Sequence, residues 1–162
     1  KFSADSLDYF SEEGEAGISS SNRIRGVVLH DILSGIVLRE DLEPALRNAE
    51  TSGLITDVEA GLIRQLLSER ISQAASRGWF PEERGRILNE INIIDVDGQV
   101  YRPDRVVKAD DRIIIVDYKF GEHYRKYEHQ MRRYAQLWRK MGYTDVFAYL
   151  WYVQTDEVVE IA

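Results

Sequence analysis

The chain contains no cysteine. Disulfides, zinc–thiolate sites and cysteine-held iron–sulfur clusters are therefore excluded, and a cytoplasmic setting meets no objection from redox chemistry. Long apolar runs are missing too. The longest, residues 146–153, covers eight residues, where a bilayer crossing needs about 20, so no membrane partner is expected. No secretory leader opens the chain, no repeat or low-complexity tract interrupts it, and no G-x-x-x-x-G-K-[ST] loop supplies an ATP motor. Positive charge is in deficit: 21 Lys and Arg stand against 28 Asp and Glu, for a formal charge of −7. That balance argues against a protein that coats nucleic acid through bulk charge. The sequence opens on Lys1 rather than Met and reads as a piece of a longer protein.

What is present is 162 residues, 44% hydrophobic, enough to bury a sizeable core in one domain. Residues 1–21 are polar and read as a linker or arm, with a helical turn around residues 6–10. Residues 22–162 read as a single folded unit. Ile24, Val27, Val28, Ile32, Leu33 and Ile36 recur at helical spacing, which predicts a helix over 22–39 with Ser21 or Asn22 as its N-cap. A short helix over 42–49 follows. Thr56 and Glu59 form a capping-box pattern that opens a third helix, closed near residue 76 by Gly78. Strands are expected over 86–95, 100–107, 112–120, 145–153 and 157–161, and a long helix over 122–141 ends at Gly142. The expected fold is α/β, with three antiparallel strands and one or two more in a mixed sheet flanked by helices.

The informative stretch is the hairpin of strands 100–107 and 112–120. A two-residue turn at Asp110-Asp111 sets Ala109 against Arg112, and counting back sets Asp104 against Asp117. Opposed residues share a face, as do residues two apart on one strand, so Asp104, Asp117 and Lys119 converge. Carboxylates so opposed repel unless one takes a proton or a cation sits between them. A hard divalent ion such as Mg²⁺ takes oxygen ligands, often from only one or two carboxylates. The bland alternative is an ordinary hairpin with solvated charges.

Two helices bear on the hairpin. Gly26 and His30 share a face of the first helix. Mid-helix glycine costs about 1 kcal/mol against alanine, which a close approach by backbone or ligand would explain, and imidazole binds metals or phosphates. A packed helix histidine is the plainer account. On the long helix, Gln130 and Tyr134 lie on a side extended by Tyr127, Met131, Trp138 and Met141, mostly a core stripe. From Lys119 to Lys140 seven basic residues face two acidic ones. That concentration, with Arg132 and Arg133 at its centre, is either a solvated helix face or a surface that tracks phosphates. Glu90 is a minor candidate: a two-residue Asp97-Gly98 loop puts it opposite Arg105 and away from Asp104, whereas a three-residue loop turns it to the carboxylate side.

Gly26-x-x-x-His30, Arg102-Pro103-Asp104, Val116-Asp117-Tyr118-Lys119 with Phe120-Gly121, and Gln130-x-x-x-Tyr134 together resemble the PD-(D/E)XK nuclease superfamily. More closely the set is similar to the C-terminal nuclease domain of bacterial helicase-nucleases of the RecB/AddA type, in the branch without an iron–sulfur cluster. The resemblance implies a restriction-endonuclease-like core and a metal-dependent DNA exonuclease serving recombination and double-strand break repair. It implies that His30, Asp104, Asp117 and the Tyr118 carbonyl hold Mg²⁺, or Mn²⁺ in its place. Lys119 would be the catalytic lysine, and Gln130 and Tyr134 would shape the DNA-side wall. DNA is the implied partner, with upstream helicase domains in the same polypeptide; a second helicase-nuclease subunit is compatible with this. The implied location is the bacterial cytoplasm, at the nucleoid when on DNA. Two other readings stay open. One is a nuclease fold kept for DNA binding or scaffolding with little cleavage. The other is a non-nuclease enzyme with a carboxylate-bound metal, for which the basic helix has no purpose.

Overall fold

A computed structural model describes residues 19–162 of the chain, with side chains from residue 25. The expected arm and the turn at residues 6–10 lie outside the described residues as far as residue 18. The first helix, α1, spans Ser19–Ser34, so Ser19, Ser20 and Ser21 are helical rather than linker, and neither Ser21 nor Asn22 caps it. It also stops short of residue 39. Gly35 and Ile36 donate back to Ile32 and Leu33 over 3.1 Å, and the Asp41 carboxylate takes the Val37 and Leu38 N–H groups at 3.2 and 2.8 Å. A side chain that satisfies these amides offers the backbone an alternative to another helical turn. Val28, Ile32, Leu33 and Ile36 are buried as their spacing requires, each burial worth roughly 1.5–3 kcal/mol.

Helix α2 spans Leu42–Thr51 and α3 spans Asp57–Ser76. The Thr56 hydroxyl accepts from the Glu59 N–H and the Glu59 carboxylate from the Thr56 N–H, so the capping box is formed. The strand expected over 86–95 is broken into β1, Ile87–Asn89, and β2, Ile93–Ile94, because Glu90 adopts φ +50°. The strand expected over 100–107 is likewise two: β3, Val100–Tyr101, and β4, Arg105–Ala109. Pro103 lies in the gap, where it has no N–H to give a ladder and biases its predecessor. Then follow β5, Arg112–Lys119, helix α4, Arg125–Lys140, β6, Asp145–Tyr152, and β7, Glu157–Glu160.

The main sheet has the order β1-β4-β5-β6-β7, and β2 and β3 form a separate ribbon. Only β5 and β6 pair in parallel, joined across α4; the other neighbours in the main sheet are antiparallel. This is a mixed five-stranded sheet flanked by helices, consistent with a restriction-endonuclease-like fold. The run Ile113–Val116 is buried throughout, as a central strand covered on both faces must be. Val107, Ile114, Val116, Tyr118 and Trp151 pack with α1–α3 on one face. Val106, Ile113, Ile115, Ala148 and Leu150 pack with Tyr127, Met131, Tyr134 and Trp138 of α4 on the other. Among the described residues no helix is long and apolar enough to cross a membrane.

The turn between β6 and β7 is pinned by Asp156, at φ +57°. Its carboxylate accepts from both Arg77 terminal nitrogens, at 2.8 and 2.6 Å, and from Trp151 Nε1 at 2.9 Å. Asp156→Ala is expected to cost about 1–3 kcal/mol by stranding the indole N–H and freeing the guanidinium. Asp156→Asn keeps an acceptor and tolerates the left-handed backbone, so it should cost less. The Arg77 hydrogen bond, against the upward pull of burial, and the Trp151 bond hold the Asp156 carboxyl below its ordinary value. A depressed folded pKa gives stability that is complete above the unfolded value of about 3.9 and is lost as pH falls. Urea unfolding should therefore separate Asp156→Ala from wild type more widely at pH 7 than at pH 3.

Candidate functional site

The site lies where β4 begins and β5 ends. Ala109 pairs with Arg112 and Arg105 with Val116, so the Asp110-Asp111 turn has two residues, Asp110 taking φ +53°. One residue further along this register Asp104 meets Asp117. The pair is tied through backbone amides rather than side chain to side chain. The Asp104 N–H donates to Asp117 Oδ1 at 3.0 Å, and the Tyr118 N–H donates to Asp104 Oδ2 at 2.8 Å. Each carboxylate thus fixes the other's strand, which is how two like charges come to be held together at 5% and 4% exposure.

Helix α1 supplies the imidazole. His30 Nε2–H donates to Asp104 Oδ1 at 3.1 Å, and Ser34 Oγ lies 3.3 Å from His30 Nδ1. A carboxylate only accepts, so this contact places a proton on Nε2. Gly26 makes the approach feasible: a Cβ there would stand 3.3 Å from the Cβ of Phe120, tighter than ordinary packing. The bare glycine lets α1 press on the residues just past β5, with the His30 ring edge-on to Tyr118 and Phe120 at 6.1 and 6.3 Å. Lys119 closes the other side. Its Nζ is 3.5 Å from Asp117 Oδ2 and 4.1 Å from the centre of the Tyr127 ring on α4.

Charge in this pocket is unevenly balanced. Burial and then the Asp104 carboxylate push Asp117 up to about 6, against the pull of Lys119. Burial would raise Asp104 as well, but the His30 charge and hydrogen bond, with Lys119 and the Tyr118 amide, bring it below its ordinary value. Burial would lower His30; Asp104 outweighs it and the imidazole is raised. Negative charge is thus in excess at Asp117. Two carboxylates make a hard oxygen donor pair that suits a divalent cation, each carboxylate oxygen keeping a second lone pair beyond its hydrogen bond, and the imidazole joins them only on giving up the Nε2 proton it now holds toward Asp104. The donor chemistry fits such an ion. As they stand, His30, Asp104 and Asp117 do not converge on one point: among the described residues no group of three His, Asp or Glu side chains is placed to hold a metal ion.

The remaining candidates are placed differently. The Tyr118 backbone enters the site through its N–H. Glu90 lies opposite Asp104, because β2 and β3 turn through three residues with Asp95 bonded to Gln99 and Ile94 paired with Val100. Its N–H donates to the Asp104 carbonyl at 3.1 Å, and its carboxylate pairs with Arg102 at 3.0 Å. Tyr134, expected on a DNA-side wall, is 1% exposed and edge-on to Tyr101, in the apolar stripe of α4. Gln130 is half-buried on the same helix. Arg133 is committed to Asp95 and the Tyr101 hydroxyl, which makes it a clamp between α4 and the β2–β3 ribbon. Arg132 is half-exposed, with Glu128 3.9 Å away. Sequence reasoning missed Ser34 and Tyr127. Ser34 stands one helical turn from His30 and was open to the same spacing argument; nothing local marks Tyr127 as a neighbour of Lys119.

Comparison with known proteins adds one match. The sequence profile of the PD-(D/E)XK nuclease superfamily matches residues 4–161. No curated protein compared with the chain matches it.

Proposed function

Because this chain belongs to the PD-(D/E)XK nuclease superfamily, we propose that it hydrolyses DNA phosphodiesters at Asp104, Asp117 and Lys119, as a Mg²⁺-dependent exonuclease. The observation that carries this reading is the amide-locked pair Asp104–Asp117, buried beside an amine and an imidazole. A divalent cation held by Asp104, Asp117, His30 and the Tyr118 carbonyl would supply Lewis-acid stabilisation of the phosphate charge. His30 fixes the orientation of Asp104 from α1, and Ser34 fixes His30. Lys119 Nζ stands beside Asp117, where it orients the attacking water and donates to the phosphate oxygen on which charge develops. The Tyr127 ring lies under the Lys119 ammonium and limits the water around it. Arg132 offers phosphate contact along α4.

The same reading extends to a module working in the cytoplasm with helicase domains, in recombination and break repair. An acidic domain then needs little grip of its own, since translocation along DNA falls to its neighbours. A second reading, a nuclease fold retained for DNA binding, draws on the His30 Nε2–Asp104 hydrogen bond, which occupies the ring nitrogen that would face an ion. One titration separates them. Linear DNA is incubated with the protein and increasing Mg²⁺ or Mn²⁺, then with excess chelator. Metal-dependent loss of DNA that stops on chelation is expected. Binding without cutting, at every metal concentration, would leave the second reading standing.

A further inference from the structure

The loop after Lys119 carries a ring, His123, that packs on the last residue of β6 and has no part in the chemistry above. His123 lies flat on Tyr152, with centroids 3.7 Å apart and planes 7° from parallel. Its Nε2–H is given to Glu157 Oε2 at 3.1 Å, while half of its side chain, 50%, is exposed. Tyr152 itself is 4% exposed and is the register partner of Lys119 across β5 and β6. Register partners share a sheet face. That face is the one lined by Leu150 and Tyr127, toward which Asp117, paired with Leu150, also points. The ring pair therefore continues the row Asp117, Lys119, Tyr152 by one step toward solvent. With its edge nitrogen engaged by a carboxylate and one face on Tyr152, the imidazole has its other face left to offer. A flat exposed ring beside a phosphate-hydrolysing centre matches the π-face of an unpaired nucleobase.

We propose that His123, backed by Tyr152 and steadied by Glu157, is a stacking platform for the base next to the scissile phosphate in single-stranded or frayed DNA. The proposal rests on the nuclease reading and adds to it a preference for unpaired strands. His123 acts as a positioning residue: stacking orders the strand so that its phosphate meets Lys119, without touching the reacting atoms.

The test measures binding of a short fluorescein-labelled single-stranded oligonucleotide, and of a blunt duplex, by anisotropy in excess chelator, so that cutting plays no part. Base–aromatic stacking is worth about 1–3 kcal/mol per base, so His123→Ala should weaken single-strand binding roughly 5–150-fold at tenfold per 1.4 kcal/mol. Duplex binding should hardly change. His123→Phe keeps a flat face and loses the nitrogens, and should restore affinity close to wild type. With metal present, His123→Ala should raise KM on single strands and leave kcat nearly unchanged. Wild-type affinity in His123→Ala overturns the proposal, and so does a Phe variant as weak as the Ala variant. Failure of the nuclease reading looks different: wild type would leave DNA intact in metal while the His123 dependence of binding persisted.

Discussion

Asp117→Asn is expected to abolish metal-dependent DNA cleavage, and Lys119→Met to reduce it about 10²–10³-fold, the usual effect of removing one donor from a developing anion. Both variants should fold. Asparagine keeps an acceptor for the Asp104 amide, which Asp117 Oδ1 now receives at 3.0 Å, and it removes the like-charge repulsion that burial makes worse. In chelator the Asn variant should therefore melt no lower than wild type. Methionine fills a similar volume and loses only the ammonium contact with the Tyr127 ring, now at 4.1 Å, worth about 0.5–2 kcal/mol. A second readout separates loss of metal from loss of chemistry. A cation that binds only the folded state raises the melting temperature by mass action. Mg²⁺ or Mn²⁺ should do so for wild type and for Lys119→Met, and much less for Asp117→Asn. Normal cleavage by Asp117→Asn would remove the basis of the whole assignment. Normal cleavage by Lys119→Met would leave a metal nuclease without a catalytic lysine.

What was legible in the sequence and what was not divides along the range of the physics. The Thr56 capping box, the Asp110-Asp111 turn and the glycine stop at Gly142 are local devices, and their residues announce them. The meeting of Asp104 with Asp117 also followed from local rules, since one turn fixes the register of everything before it. The strand break at Glu90 did not. A glutamate at φ +50° has no propensity behind it and is held by its amide bond to the Asp104 carbonyl and by Arg102, from twelve or more residues away. Arg133 shows the same limit. Its place in a basic run suggested phosphate contact, but its partner Asp95 sits in a ribbon whose position depends on the whole sheet. Tyr134 carried two readings in the sequence, a motif position and a place in a helical stripe, and its burial follows the stripe. Charge counts mark where basic residues lie in the chain; they carry no information about which are spent on internal carboxylates.

Arg105→Met is expected to destabilise the fold by about 3–5 kcal/mol, several lost charge-assisted bonds and stranded core acceptors less the relief of the ion's desolvation. Arg105 follows Asp104 directly and points the other way, into the core, at 0% exposure. Its guanidinium donates to the Trp79 carbonyl at 2.7 Å, to the Ile36 and Val37 carbonyls at 3.2 and 2.8 Å, and to Asn89 Oδ1 at 3.4 Å, and it covers the Phe80 ring at 3.8 Å. Burial lowers its pKa, with Tyr118 partly offsetting that. Two effects compete. Removing a buried ion relieves several kcal/mol of desolvation. Against this, charge-assisted bonds are worth about 1.5–3 kcal/mol each, and a carbonyl stranded in the core costs about 1–3. Four acceptors take this one side chain, and of these the Ile36 carbonyl also receives the Asn89 amide at 3.2 Å; with the others left to lose their donor, the second effect wins. The fork also joins the segment after α1, the loop after α3 and the start of β4, so its loss should loosen the frame that presents Asp104 to His30. At about 2–4 °C per kcal/mol for a chain of this size, the melting temperature should fall by roughly 6–20 °C. Arg105→Lys keeps the charge but reaches fewer carbonyls, and should fall between. A Met variant as stable as wild type would mean that desolvation of the guanidinium cancels its bonds, and that hydrophobic packing alone holds β4 against α1.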